Sequence, residues 1–233
     1  MLDKTPTREN LINQILKDYE TFRYKYDMAS VIKDSFCIMA NTISNQVDYI
    51  HFKARETEYL EIINKYTKDE QRIFAKIFGN LMLICDTSDG VYDDYLGQIF
   101  MRTQSNSKYT GQFFTPYHIS KLMACISLTD TDTQKDIITA NDPCCGAGGL
   151  MIALADELSK KNISVSDRLV VVAQDIDQRC VHMTYIQLSL MGIPAIVMKG
   201  NSLTQEYTDI WRTPAYYQHY DKFEQALHNQ KKD

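Results

Sequence analysis

Asp136-Ile137-Ile138-Thr139-Ala140-Asn141-Asp142-Pro143-Cys144-Cys145-Gly146-Ala147-Gly148-Gly149-Leu150 reads as a short buried strand, a sharp turn and the first turn of a helix. Ile137, Ile138 and Ala140 supply the apolar run, and Asp142-Pro143 ends it because proline has no N–H to give a ladder. Gly146, Gly148 and Gly149 follow where backbone must approach a ligand with no side chain in the way. Leu150, Ile152, Ala153, Leu154 and Leu158 then share most of one helical face. Strand, glycine turn and helix form the opening unit of a doubly wound α/β fold, where ligands sit beyond the carboxyl ends of the strands. The Gly-x-Gly-x-x-Gly spacing is absent and no Gly-Lys-Ser/Thr follows, which disfavours pyrophosphate cofactors and P-loop chemistry. On this stretch alone an ordinary glycine turn stays open. The acid before the turn, Asp142, suits a ligand with a cationic amine, such as the methionine end of S-adenosylmethionine.

The same pattern continues downstream. Leu169-Val170-Val171-Val172-Ala173-Gln174 is a second buried strand, ending at Asp175-Ile176-Asp177. An acid at this point is where doubly wound folds hold a ribose diol. Asp177 is placed to cap the next helix, which runs to about Met191 and stops at Gly192. Ala195 to Lys199 is a third strand, followed by Gly200-Asn201-Ser202-Leu203. A doubly wound chain should then return beside its first strand, so Trp211 to Leu227, or another chain, is expected to cover that open edge.

Upstream, residues 8 to about 100 read as helical, with Val31, Ile32, Phe36, Met39 and Ile43 as one clear period and no glycine before Gly79. Gln71 to Cys85 is expected to be apolar on a wide, buried face that includes Met82. Tyr24, Tyr26, Tyr49 and Tyr66 are expected in the core rather than as base-stacking groups. Met101 to Tyr109 is polar and reads as a loop. Six cysteines without a Cys-x-x-Cys pair give no zinc pattern, and Cys144 and Cys145 are expected to pack beneath the turn. A net charge of −5 and the lack of a basic cluster mean that any grip on nucleic acid must come largely from a partner or a local surface. Neither a membrane-length apolar run nor a signal-peptide core at Met1 to Pro6 is present, so the chain is expected to be cytoplasmic, with no membrane partner.

Asp142-Pro143-Cys144-Cys145-Gly146-Ala147-Gly148-Gly149 resembles the cofactor motif of adenine-N6 DNA methyltransferases, in the variant carried by modification subunits of type I restriction-modification systems. Asp93-Asp94-Tyr95-Leu96-Gly97 is similar to the Asp-x-Leu-Gly segment preceding the catalytic domain of that family. Gly111-Gln112-Phe113-Phe114-Thr115-Pro116 resembles a second motif, which lies against the cofactor's methionine end. The resemblance covers about residues 93 to 203. It implies an α/β protein: an N-terminal helical region (1–108), then a partial Rossmann-like, class I methyltransferase, doubly wound sheet (109–233) that binds S-adenosylmethionine. Phe114 would be an apolar wall, the Thr115 hydroxyl would meet a carboxylate, and Pro116 would start a helix. Asp142, Pro143, Gly146 and Gly148 would form the turn around the cofactor, Asp175 would take the ribose and Ile176 the adenine ring. Asn201 stands where the family usually has an acid that reads the adenine amino group, and its amide oxygen can still accept that bond.

The family's Asn/Asp-Pro-Pro-Tyr/Phe motif, which holds and stacks on an extruded adenine, does not occur in these 233 residues. The nearest segment, Thr213-Pro214-Ala215-Tyr216, lacks the amide and the second proline, has no apolar strand leading into it, and reads as the start of a helix. No catalytic residue is assigned. Two functions stay open. One is a cofactor-binding member of the family in DNA methylation, working on DNA through a specificity-type or complementing subunit. The other is a non-catalytic S-adenosylmethionine-binding accessory or regulatory module. A homo- or hetero-oligomer suits either.

Overall fold

Thr7, Asp27 and Thr67 each precede a run of apolar residues at helical spacing, and each caps a helix through its side-chain oxygen. In this computed structural model, which describes residues 6–104, 114–128 and 133–230, they open α1 (Arg8–Glu20), α2 (Met28–Ser44) and α4 (Lys68–Ile84). Thr67 and Glu70 form a reciprocal capping box. Between them lies α3 (Phe52–Ile63). The rings of Phe22, Tyr66 and Phe74 close one end of the bundle, with Phe22 stacked on Phe74 at 5.0 Å. The buried stripe of α4 is narrower than expected: Phe74, Ile77, Leu81 and Ile84 are buried, but Met82 and Leu83 face outward. Tyr24 (99% exposed) and Tyr49 lie on the surface, against the expectation of core, whereas Tyr66 is buried.

α5 (Tyr95–Gln104) runs into the stretch expected to be a loop, so Met101 to Gln104 is helix; residues 105–113 lie outside the described residues, Gly111, Gln112 and Phe113 among them. α6 (Tyr117–Ser127) starts directly after Pro116, its N-cap. Then come β1 (Ile138–Asp142), α7 (Gly149–Lys160), a single turn α8 (Val165–Arg168), β2 (Leu169–Asp175), α9 (Gln178–Leu190), β3 (Ala195–Asn201), β4 (Glu206–Arg212), α10 (Pro214–Gln218) and α11 (Tyr220–Gln230).

The sheet order is β1-β2-β3-β4, with the first three strands parallel and β4 antiparallel to β3. Both crossovers step the same way along the sheet, so right-handed connections place α7 and α9 on one face. Alternation along β2 shows the two faces: Leu169, Val171 and Ala173 join the main core with α7, α9 and the helical bundle. Val170 points the other way, into a small cluster with Tyr216 and Phe223. The architecture is thus α/β, one half of a doubly wound sheet behind a helical region.

Two sequence expectations need correction here. There is a fourth strand, and it leads straight into Thr213. Trp211 belongs to it, opposite Val197 of β3, at the far end of the sheet from β1. The Trp211 to Leu227 stretch therefore does not pair with the first strand. α11 packs on the sheet face instead, and no described strand takes the outer edge of β1, although Ile138 and Asp142 are buried. The bundle is fastened to β4 by Arg55 of α3. Its guanidinium lies 3.9 Å over the Trp211 ring, bonds Asp48 Oδ2 at 2.7 Å and Ser44 Oγ, and donates to the Ile210 carbonyl at 2.8 Å.

Candidate cofactor pocket

The turn after β1 needs backbone angles that L-residues avoid. Gly146 has φ +55° and Gly148, the N-cap of α7, has φ +89°. A Cβ on Gly146 would come within 3.0 Å of the Phe114 ring, and one on Gly148 within 3.2 Å of Thr184. The turn is tied down from two sides. From β2, Gln174 O accepts the Cys145 N–H at 2.9 Å and Asp175 Oδ2 accepts the Gly146 N–H at 3.0 Å. From α9, the Thr184 hydroxyl donates to Gly146 O at 2.9 Å and Gln187 Nε2 donates to Ala147 O at 2.8 Å. With both carbonyls held from behind, the N-terminal turn of α7 opens onto a cavity of about 380 Å³.

Of the residues singled out from sequence, Phe114, Thr115, Asp142, Gly146 and Asp175 line this cavity together. Gly148 is buried just behind them, and Pro116 acts as the α6 cap rather than as lining. Pro143 is exposed, and Ile176 is 71% exposed; neither lines the cavity. Asn201 lies at the end of β3, where its Oδ1 accepts the Leu203 N–H at 3.0 Å. Asp94, Ser120 and Met123 also line the cavity and were not anticipated. A signal for Asp94 existed: it is the acid of Asp94-Tyr95-Leu96-Gly97. Cys145 does pack beneath the turn, where burial raises its thiol to about 12, but Cys144 is exposed and lines the cavity.

The lining is acidic. Asp94, Asp142 and Asp175 all face it, and no Lys, Arg or His lines it among the described residues. Burial raises the Asp142 carboxyl above its ordinary range; the Cys144 N–H, 3.1 Å from Oδ1, opposes this and the charge of Asp175 adds to it. Burial also raises Asp94, against bonds from Gln187 and the Gly97 N–H. A cavity of this size suits a nucleoside-sized ligand. Its charge suits a cation and repels phosphate.

The family model for N-6 DNA Methylase matches residues 87–229, more than half of the chain. The chain belongs to the N-6 DNA methylase family. Over 77 residues, 33% of the chain, it is 36% identical to the type I restriction enzyme MpnII methylase subunit of Mycoplasma pneumoniae (strain ATCC 29342 / M129 / Subtype 1) and covers 14% of that protein. Among solved structures it is similar to a protein assigned as a modification subunit of a type I restriction enzyme from Vibrio vulnificus YJ016, with TM-score 0.52 and 11% identity, covering 84% of this chain and 56% of that one. The type I restriction-modification methyltransferase subunit of Streptococcus thermophilus gives TM-score 0.47 at 14% identity, over 87% of this chain and 60% of that one. The chain thus spans a seventh of the curated relative and little more than half of these structures.

Within this N-6 DNA methylase fold, Thr213 to Tyr216 is built as structure. The Thr213 hydroxyl donates to Ile193 O and accepts the Ala195 N–H, both at 2.9 Å. Tyr216 is 0% exposed, stacked on Phe223 at 5.8 Å against Val170, on the sheet face opposite the α7–α9 core.

Proposed function

We propose that the chain binds S-adenosylmethionine in the cavity at the β1–α7 turn and serves adenine-N6 methylation of DNA of the restriction-modification type. The observation that carries this reading is the lining: three carboxylates with no cationic side chain among the described residues, around a glycine turn where an added side chain would crowd Phe114 and Thr184. The cofactor has a sulfonium and an ammonium against one carboxylate, so its net charge matches such a site, whereas ATP or NAD would bring phosphates to it. Asp142 faces the amine, and the N–H groups of the first α7 turn with Thr115 suit the carboxylate. Asp175 already accepts two amides, from Gly146 and Asp177, which fix its carboxylate at the end of β2 for a ribose diol. Exposed Ile176 beside it offers apolar surface for the adenine ring. When bound, the cofactor would supply a methyl group activated by its positive sulfur.

A second reading rests on Tyr216. Its burial leaves no described aromatic of a target-base motif free to stack on an extruded adenine. DNA and base handling then come from a specificity-type or complementing subunit, or the chain is a cofactor-binding accessory module. Calorimetric titration of the full chain with S-adenosylmethionine and, separately, ATP tests the pocket. Micromolar binding of the first and none of the second is expected. ATP binding as tightly would refute it. Transfer of a tritiated methyl group to DNA by the chain alone would remove the second reading.

A further inference from the structure

Asp94 sits immediately before α5, and its Oδ1 is fully employed. It accepts the Gly97 N–H at 3.0 Å, as a helix cap does, and Gln187 Nε2 at 2.8 Å. The other oxygen, Oδ2, receives no donor among the described residues, although the residue is only 5% exposed and lines the cavity. Oδ2 lies against Gly149, the first residue of α7. A Cβ built there would meet Asp94 Oδ2 at 3.2 Å and Ser120 Oγ at 3.6 Å. Ser120 is 1% exposed, and its hydroxyl also lines the cavity without a hydrogen bond among the described residues.

The N-termini of α5 and α7 both favour a negative charge here, but the hydrogen bonds that the fold makes to Asp94 use only Oδ1. An asparagine at the same place would cap α5 and accept from Gln187 through its own Oδ1. Asp94 Oδ2 is not sealed in the core but lies on the cavity wall, so its free acceptor capacity is open to whatever occupies the cavity.

We propose that Asp94 is a ligand-binding residue: its Oδ2 is the counter-ion and hydrogen-bond acceptor for a protonated amine of the bound molecule, with Ser120 Oγ as a neighbouring acceptor. The inference rests on the reading of the cavity as an S-adenosylmethionine site, and the group concerned is then the amine of the methionine moiety. A sulfonium has no hydrogen to donate, whereas an ammonium has three. Asp94 thus joins Asp142 on the cationic end of the ligand, and the Asp-x-Leu-Gly segment contributes to the pocket as well as to the helix start.

The test is titration of the full chain and its Asp94→Asn variant with S-adenosylmethionine and with S-adenosylhomocysteine, which keeps the amine and loses the positive sulfur. Thermal melts without ligand accompany it. Loss of a charge-assisted bond predicts that Asp94→Asn weakens both ligands by roughly 10- to 100-fold, by similar factors. Its ligand-free melting temperature should be unchanged or higher. Ser120→Ala, which leaves the α5 cap untouched, should weaken both ligands by a smaller factor. Wild-type affinity for both ligands in Asp94→Asn overturns the inference while the pocket stands. Loss confined to S-adenosylmethionine overturns the amine assignment. If the wild-type chain binds neither ligand, the reading of the cavity falls and this inference with it.

Discussion

Gln187 is where the helical region, the glycine turn and α9 meet, and replacing it by methionine isolates that junction. The side chain is fully buried. Its Nε2 donates to Asp94 Oδ1 and to Ala147 O, both at 2.8 Å, and its Oε1 accepts the Leu96 N–H at 2.8 Å. Methionine nearly conserves volume, so the loss is polar rather than a cavity. Two neutral hydrogen bonds at about 1 kcal/mol each and one to a carboxylate at about 1.5–3 kcal/mol give about 3.5–5 kcal/mol before any relaxation. For a chain of this size that corresponds to a fall in Tm of roughly 10 °C or more. Urea unfolding should show a lower midpoint with the slope unchanged, which keeps the effect in the folded state. Gln187→Glu keeps the acceptor for Leu96 but sets a second carboxyl against Asp94, so it should be worse at about pH 8 than at about pH 5. A loss below about 1 kcal/mol for Gln187→Met would mean that water replaces all three bonds, and the junction would be incidental.

Three further outcomes follow from the same geometry. Arg55→Ala leaves buried Asp48 with His51 as its one side-chain partner among the described residues and should cost about 3–5 kcal/mol; an Asp48→Asn/Arg55→Ala cycle with no coupling would contradict the clamp. Gly146→Ala places a Cβ at positive φ against Phe114 and should cost about 1–2 kcal/mol in chemical denaturation, together with ligand affinity. Burial holds the Asp94 and Asp142 carboxyls above their ordinary value, so between that value and the raised one the folded chain carries more protons than the unfolded chain. Their contribution to stability is therefore present at lower pH and lost as pH rises through that window. The Asp94→Asn/Asp142→Asn variant should flatten this slope in melts from about pH 4 to about pH 7, and an unchanged slope would count against both placements.

The parallel strands were legible because Ile137-Ile138, Leu169 to Ala173 and Ala195 to Val197 are apolar runs bounded by turn residues, longest in β2, which is buried along most of its length. β4 was not, because Glu206, Tyr207 and Thr208 are exposed and Trp211 alone is buried in it. An edge strand carrying so little apolar periodicity looks like a loop until its partner is known. The pocket divides in the same way. Asp142, Gly146 and Asp175 could be read because turn and strand ends dictate their types locally. Asp94, Ser120 and Gln187 could not be joined to them: Gln187 bonds residues 91 and 93 positions away, and within its own helix it is one polar residue among several. The wrong end point for α5 has a simple cause: Arg102 and Thr103 are polar but lie off the inner side of the helix, which is Leu96, Ile99 and Phe100.

The most direct measurement is calorimetric titration of S-adenosylmethionine into the wild-type chain and into Asp142→Asn, with the two proteins matched for urea stability. The account predicts micromolar binding to the wild type and a loss of at least about 10-fold in the variant, the worth of one charge-assisted bond. Equal affinity in the two proteins, or no binding to the wild type at millimolar cofactor, would contradict it.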